Sequence, residues 1–321
     1  MAKYIVGVDI GGTKILAALA LRNGKIIKTI SLPTQAEKGK AVSLNNVKKA
    51  IRMVLSQTKT PLSRISAIGV GAPGPMLYKQ GIIINPPNLP GWKKVNLRKI
   101  LQREFRKPVF IDNDANAAAL AEFRFGAGRG TKNMVYLTIS TGIGGGIIID
   151  KKLYRGGIGG AGEIGHMIIQ INGPKCGCGN RGCLEALASG KAMAELAREL
   201  VKINKRSLIY KLAEGKIKKI TAITIEKASK ARDRLALSII NEIGRRLGTG
   251  IANIINILEP DKVVIGGGLS SIGKPLFTSI RKTAKELSLE PGRSSTKIVP
   301  AKFKREAGIR GAVALCLDGS F

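Results

Sequence analysis

The chain has 321 residues, enough for two domains each with its own core, and 44% apolar content with 40 glycines suits an α/β protein rich in turns. Against 21 Asp and Glu stand 54 Lys and Arg, a formal charge of +33 that makes polyanions candidate partners, while 4% aromatic content argues against a base-stacking surface. No apolar run approaches the ~20 residues of a membrane span, and no charged-then-apolar leader precedes the first strand, so a cytoplasmic protein with no membrane partner is expected.

Residues 3–9 (KYIVGVD) read as a buried strand. A second strand spans 15–21, and Arg22-Asn23-Gly24-Lys25 turns it into a third over 26–32. The periodicity then predicts a helix over 44–57, apolar at Val47, Ile51, Val54 and Leu55, and a strand over 65–71. A helix near 97–105, a strand over 109–111 and a helix from about Ala115 follow. The pattern restarts with a strand over 134–140, a glycine-rich turn over 141–146 and a returning strand over 147–150. This echoes the opening, where 6–10 runs into Gly11-Gly12-Thr13-Lys14 and returns through 15–21. Two such units predict duplicated α/β halves facing each other across a cleft. A long helical stretch is expected over much of 185–257, then a strand over 261–265 ending in Gly266-Gly267-Gly268. With no linker between the halves, a hinge within helices is expected near 117–126. The densest basic stretch, 202–234, reads as a solvated helix face.

Glycine-rich turns aim several backbone N–H groups at one point and bind phosphate oxygens. The first turn adds Thr13 and Lys14, and the second adds Thr141. Asp9, just ahead of the first turn, is suited to a magnesium hydration shell. Read singly each turn is equally a tight hairpin, and their repetition favours phosphate. Gly69–Gly74 spells GxGxxG, but Pro73 and Pro75 oppose a helix in the required register. Gly268–Lys274 nearly spells a P-loop, but Pro275 replaces the magnesium-binding hydroxyl. In Asp112-Asn113-Asp114-Ala115-Asn116 a strand gives way to a helix, where a carboxylate can cap the helix or take a proton from an alcohol. The segment Asn85–Trp92 is a proline-rich loop carrying amides and the only tryptophan, apt for a polyhydroxylated ligand or simply a turn.

The only histidine, His166, precedes Cys176-Gly177-Cys178-Gly179-Asn180-Arg181-Gly182-Cys183. One imidazole and three thiols in a glycine-rich window are the ligands of a closed, structural zinc site, with the fourth cysteine, Cys316, uninvolved. A disulfide reading leaves one clustered thiol unpaired.

Taken together, these segments resemble the ROK family of sugar kinases and related repressors, along the whole chain. The resemblance rests on Asp9-Ile-Gly-Gly-Thr13-Lys14, Gly71-Ala-Pro-Gly74, Asn88-Leu-Pro-Gly-Trp92, Asn113-Asp114-Ala-Asn116 and Thr141-Gly-Ile-Gly-Gly-Gly146. Gly162-Glu163-Ile-Gly-His166, the cysteine loop with Glu185, and Gly266–Gly268 complete it. It implies a duplicated RNase H-like, actin/hexokinase-type α/β fold with an interdomain cleft. One small domain would span 1–117, with a C-terminal helix over about 307–321 packing back on it, and a large domain with the zinc loop would span 118–306. It further implies Asp114 as general base, with Asn88, Asn113, Glu163, His166 and Glu185 binding the sugar. ATP would be held by Asp9, Gly11, Gly12, Thr13, Lys14, Thr141, Gly142, Gly144, Gly267 and Gly268, with Mg2+ accompanying ATP. His166 would serve zinc and sugar alike. Repressor members carry an N-terminal helix-turn-helix, for which a strand starting at Lys3 leaves no room, so no specific nucleic-acid partner is expected. Zinc-bearing members most often resemble glucokinases, with N-acetylmannosamine, N-acetylglucosamine and fructose kinases as neighbours, and are commonly dimers or tetramers. The +33 charge departs from that pattern, and leaves open a polyphosphate donor or a non-catalytic polyanion-binding protein.

Overall fold

The structure, a computed structural model, describes residues 3–304 and 306–318. Strand β1 (Tyr4–Ile10) is a nearly continuous apolar run because both of its faces are covered. It pairs antiparallel with β2 (Lys14–Leu21), which pairs antiparallel with β3 (Ile26–Pro33). On its other edge β1 runs parallel to β4 (Ile65–Ala72), reached through helix α1 (Lys40–Gln57). Three two-residue strands, β5 (Met76–Leu77), β6 (Ile82–Ile83) and β7 (Val95–Asn96), form a small antiparallel sheet of their own. Helix α2 (Leu97–Phe105) then leads to β8 (Val109–Asn113), which closes the five-stranded sheet in the order β3-β2-β1-β4-β8. Val47, Ile51 and Val54 of α1 and Leu97, Leu101 and Phe105 of α2 join the core of this sheet. The turn at Arg22–Lys25, the helix at 44–57 and the strand at 65–71 are thus where the apolar spacing puts them, each within a few residues.

Helix α3 (Asp114–Phe125) follows β8 directly. The second five-stranded sheet has the order β11-β10-β9-β12-β13, from β9 (Met134–Ile139), β10 (Ile143–Ile149), β11 (Lys152–Tyr154), β12 (Lys262–Gly266) and β13 (Lys297–Pro300). The glycine-rich turn is shorter than expected. Only 140–142 turn, and Gly144 and Gly146 lie inside β10. Gly146 serves close packing instead, since a Cβ there would stand 2.6 Å from the Ala119 methyl. The expected helical stretch over 185–257 is also broken. It comprises α4 (Leu184–Ala188), α5 (Gly190–Ile203), α6 (Leu208–Leu212), α7 (Ala222–Lys230) and α8 (Arg234–Leu258). The breaks fall at caps. Ser189, Ser207, Thr221 and Asp233 each accept a backbone N–H at the head of a helix. Three more helices complete the chain, α9 (Lys274–Leu287), α10 (Gly292–Ser295) and α11 (Ala307–Asp318). Pro275 occupies the first turn of α9, where its missing N–H costs nothing.

The chain divides into two compact units. One comprises Met1–Gly130, Gly146–Gly162 and Lys302–Phe321, the other Thr131–Gly145 and Glu163–Ala301. This division differs from a boundary at 117/118 with a hinge over 117–126. Helix α3 remains whole in the first unit because α11 lies directly on it, with no room for a Cβ on Gly311 against the Ala117 backbone. The chain also returns to the first unit for 146–162. Positions 1, 2, 305 and 319–321 of the expected domains and terminal helix lie outside the described residues.

Candidate functional site

In the first unit the turn after β1 is pinned from beneath by Thr34. Its hydroxyl donates to the Gly11 carbonyl at 2.6 Å, and its N–H donates to the Thr13 carbonyl at 2.9 Å. Thr13 and Lys14 stay exposed. Asn88 is brought against this turn: a Cβ on Gly12 would lie 2.9 Å from the Asn88 carbonyl oxygen, so glycine is what allows the approach. The tryptophan of the same loop is not available to a ligand. Trp92 is fully buried and donates its indole N–H to Ser43 Oγ at 2.8 Å.

Asp9, the last residue but one of β1, has its carboxylate against Gly308, in the first turn of α11. This carboxyl is pushed up to about 6, chiefly by burial and then by the charge of Asp114, with the charge of Lys14 opposing. These electrostatic effects place Asp9, Lys14 and Asp114 in one neighbourhood. At the β8–α3 junction the three polar residues have separate tasks. Asn113 caps α3, accepting the Asn116 N–H at 2.7 Å. Asp112 is buried and accepts from Asn113 N–H at 2.8 Å, Asn116 Nδ2 at 2.9 Å and Arg155 Nε at 2.7 Å. Asp114 alone is exposed, with one oxygen taking the Ala115 N–H at 2.8 Å. Of these two aspartates, only Asp114 is exposed.

In the second unit the turn after β9 is held by Ser140 N–H to the Gly142 carbonyl at 2.8 Å and Gly190 N–H to the Ser140 carbonyl at 2.7 Å. Gly267, at φ 82°, fits against the Ile139 backbone, and a Cβ on Gly268 would lie 3.8 Å from Ser140 Oγ. Thr141, Gly142, Gly267 and Gly268 therefore gather at one sheet end, whereas Gly144 stands within β10. Glu185 of α4 reaches the same turn and accepts the Ile143 N–H at 2.8 Å.

His166 and the three thiols converge as a group. Their ligand atoms all lie within 4.8 Å of one another, with His166 Nδ1 3.6 Å from Cys176 Sγ and Cys178 Sγ 3.7 Å from Cys183 Sγ. Ligands about 2.0–2.3 Å from a central zinc sit at roughly such separations in a tetrahedron, so the donor set fits. A backbone hydrogen bond at Asn180 pulls the Cys178 thiol down, while burial pushes Cys183 up to about 12. A coordinated thiol is deprotonated outright, so metal binding would override both effects. The other imidazole nitrogen, Nε2, faces the exposed Glu163 carboxylate at 3.9 Å. Cys316 lies apart in α11. Sequence reasoning missed Thr34, the α5 start at Gly190 and the Asp112–Arg155 pair. Only Ser189, a capping residue ahead of an apolar-periodic run, carried a readable signal.

The ROK family model matches residues 5–318. The glucokinase of Thermotoga maritima is 37% identical over 311 residues, 97% of this chain and 96% of that protein. The xylose repressor of Caldicellulosiruptor bescii is 34% identical over 320 residues, 98% of this chain and 78% of that protein. Among solved structures, a ROK family glucokinase from Streptomyces griseus in complex with glucose and AMPPNP superimposes with a TM-score of 0.82 at 32% identity. It covers 97% of this chain and 98% of that one. The chain belongs to the ROK family, and its two α/β units carry the fold of the family's sugar kinases.

Proposed function

We propose that this chain is an ATP-dependent sugar kinase whose preferred substrate is glucose, phosphorylated at the 6-hydroxyl. The observation that carries the reading is the division of labour at the head of α3. Asp112 is buried and neutralised by Arg155, while Asp114 is exposed, in the electrostatic neighbourhood of Asp9 and Lys14. Phosphoryl transfer asks the protein chiefly for positioning and charge stabilisation. Asp114 would take the proton of the attacking hydroxyl as its oxygen bonds to the γ-phosphorus and the bond to the departing ADP breaks. The backbone of Gly11, Gly12, Thr13, Thr141 and Gly142, with Lys14, would hold the phosphates, and Gly267 and Gly268 would lie along the nucleotide. Asp9, ionised, would retain the hydration shell of the magnesium that accompanies ATP.

Asn88, Asn113, Glu163, His166 and Glu185 would bind the sugar hydroxyls. His166 Nδ1, Cys176, Cys178 and Cys183 would hold a zinc ion, which when bound supplies a structural cross-link. With Nδ1 so engaged, Nε2 is left to face a hydroxyl together with Glu163. Glucose is favoured over an N-acetylhexosamine by the likeness to the two glucokinases above.

An ADP-release assay over hexoses and N-acetylhexosamines, run with ATP and with polyphosphate, tests the assignment. Glucose with ATP is expected to give the highest kcat/KM, and a higher value for an N-acetylhexosamine would reassign the substrate. Asp114→Asn keeps the shape and removes the base, so kcat should fall by roughly 10²–10⁴-fold with modest change in sugar affinity. Near-wild-type turnover in that variant would remove Asp114 from the role.

A further inference from the structure

We propose that Arg155 is a positioning residue for phosphoryl transfer: by locking Asp112 it sets the first turn of α3, and with it Asp114. The proposal rests on Asp114 as proton acceptor. Arg155 follows β11, in the segment Gly146–Gly162 that returns to the first unit. Its side chain is 7% exposed and that of Asp112 2%, so it meets no substrate. Its Nε donates to Asp112 Oδ2 at 2.7 Å, its guanidinium lies 5.3 Å over the Tyr78 ring, and Nη2 stands 3.9 Å from Asp318 Oδ2. The other Asp318 oxygen accepts from Arg124 Nη2 at 3.0 Å. The arginine is therefore fixed by the 78–79 loop, β8 and α11 at once.

What Arg155 fixes in turn is one residue away from the chemistry. Asp112 Oδ1 accepts both the Asn113 N–H and Asn116 Nδ2, and Asn116 N–H closes the turn on Asn113 Oδ1. Asp114 stands inside this ring of hydrogen bonds. A carboxylate at this depth keeps all its acceptor capacity only while a cation faces it. Without Arg155, Asp112 is left a buried carboxylate with no cation facing it and turns toward water, so the ring loosens while the turn at Gly11–Lys14, held by Thr34, stays intact. Displacement of a catalytic group by even an ångström weakens its action greatly.

The test is a double-mutant cycle on the full-length enzyme, with kcat, sugar and nucleotide dissociation constants and melting curves for Arg155→Met, Arg155→Lys, Asp114→Asn and the Met–Asn double variant. Arg155→Met should lower kcat by about 10–100-fold, with nucleotide affinity within roughly threefold of wild type. Arg155→Lys keeps the charge and loses the planar fork, so kcat should fall only about 3–10-fold. In the Asp114→Asn background the Met substitution should add less than about threefold, because the arginine acts through the group already removed. Losses that multiply in the double variant, or wild-type kcat in Arg155→Met, would overturn the proposal. Should the Met variant fail to fold, the Lys variant decides: unchanged kcat there overturns it, as does a Lys effect undiminished in the Asp114→Asn background. Wild-type turnover in Asp114→Asn alone would instead sink the proton-acceptor reading, a separate result from the same data.

Discussion

Asp9 and Asp112 stand in register with Gly71 on three adjacent strands, yet they meet opposite electrostatic surroundings. Asp112 has a guanidinium at 2.7 Å; Asp9 has the Lys14 charge, too weak to offset burial, and its carboxyl rises from 3.8 to about 6. A raised carboxyl favours the folded state only while protonated. That contribution is complete below pH 3.8 and is lost as pH rises through about 6. Once ionised, Asp9 costs the free protein on the order of 3 kcal/mol at most. Asp9→Asn should therefore melt higher than wild type at pH 8 and no higher at pH 4, because an amide carries no charge to bury. Melting curves across pH 4–8 check this, and a stabilisation that does not change with pH would show that burial of charge is not its source. Magnesium–ATP should narrow the difference at pH 8, since by the proposed mechanism it engages the ionised form.

Among the elements, the cysteine loop makes the sharpest connection between local folding and the proposed binding. Its backbone is cross-braced by bridges at Ile168–Cys183 and Lys175–Arg181, and Gly182, at φ 73°, takes a place where a Cβ would collide with the Gln170 carbonyl. Glu163 and His166 precede the cysteines in the chain, and Glu185 follows Cys183 by two residues. Cys178→Ala should abolish zinc in elemental analysis and weaken glucose binding by about 10–100-fold, the usual effect of disturbing groups that orient a metal site. Nucleotide affinity should fall less than sugar affinity, because Thr34 braces the Gly11–Lys14 turn and Gly190 shares the bracing of the 140–142 turn with Glu185. Zinc-free Cys178→Ala protein with unchanged sugar affinity would make the cluster a bystander. The convergence of this cluster was readable from the chain because His166 and the three cysteines fall within eighteen residues and glycines mark the turns. The hairpin at Arg22–Lys25 and the helix of 44–57 were readable for the same reason: the signal is local. The breaks in 185–257 were hidden because apolar spacing continues across capped junctions. Gly146 misled because close packing of β10 against α3 and a tight turn call for the same residue. Arg155 could not be found at all, since its partner Asp112 lies 43 residues earlier.

For the whole molecule the open question is how a chain of +33 stays folded. Residues 202–234 hold eleven Lys and Arg, all exposed, against three acids, and each of those acids is engaged. Glu214 pairs with Lys219, Glu226 with Lys230 and Ser271, while Asp233 caps α8 and accepts from Ser207 and Leu208. The pairs are exposed on their lysine side and contribute little individually, so three acids leave most of the eleven positive charges of this stretch uncompensated within it. Such an excess draws nucleic acid at low salt, by counterion release that fades steeply as salt rises. A non-catalytic polyanion binder would instead keep its grip at physiological salt and turn over no sugar, which a gel shift beside the kinase assay would reveal. Self-repulsion also acts against the compact state. Screening it, by shortening the Debye length from about 30 Å at 0.01 M salt to below 10 Å, should raise stability. Between 10 and 300 mM NaCl at neutral pH, Tm should rise by at least about 2 °C, the shift that roughly 1 kcal/mol produces in chains of this size or somewhat smaller. A protein held chiefly by surface ion pairs would respond in the opposite direction. A Tm that falls steadily with salt would therefore show that pairs such as Lys48–Glu104 and Arg246–Glu242 outweigh the net repulsion.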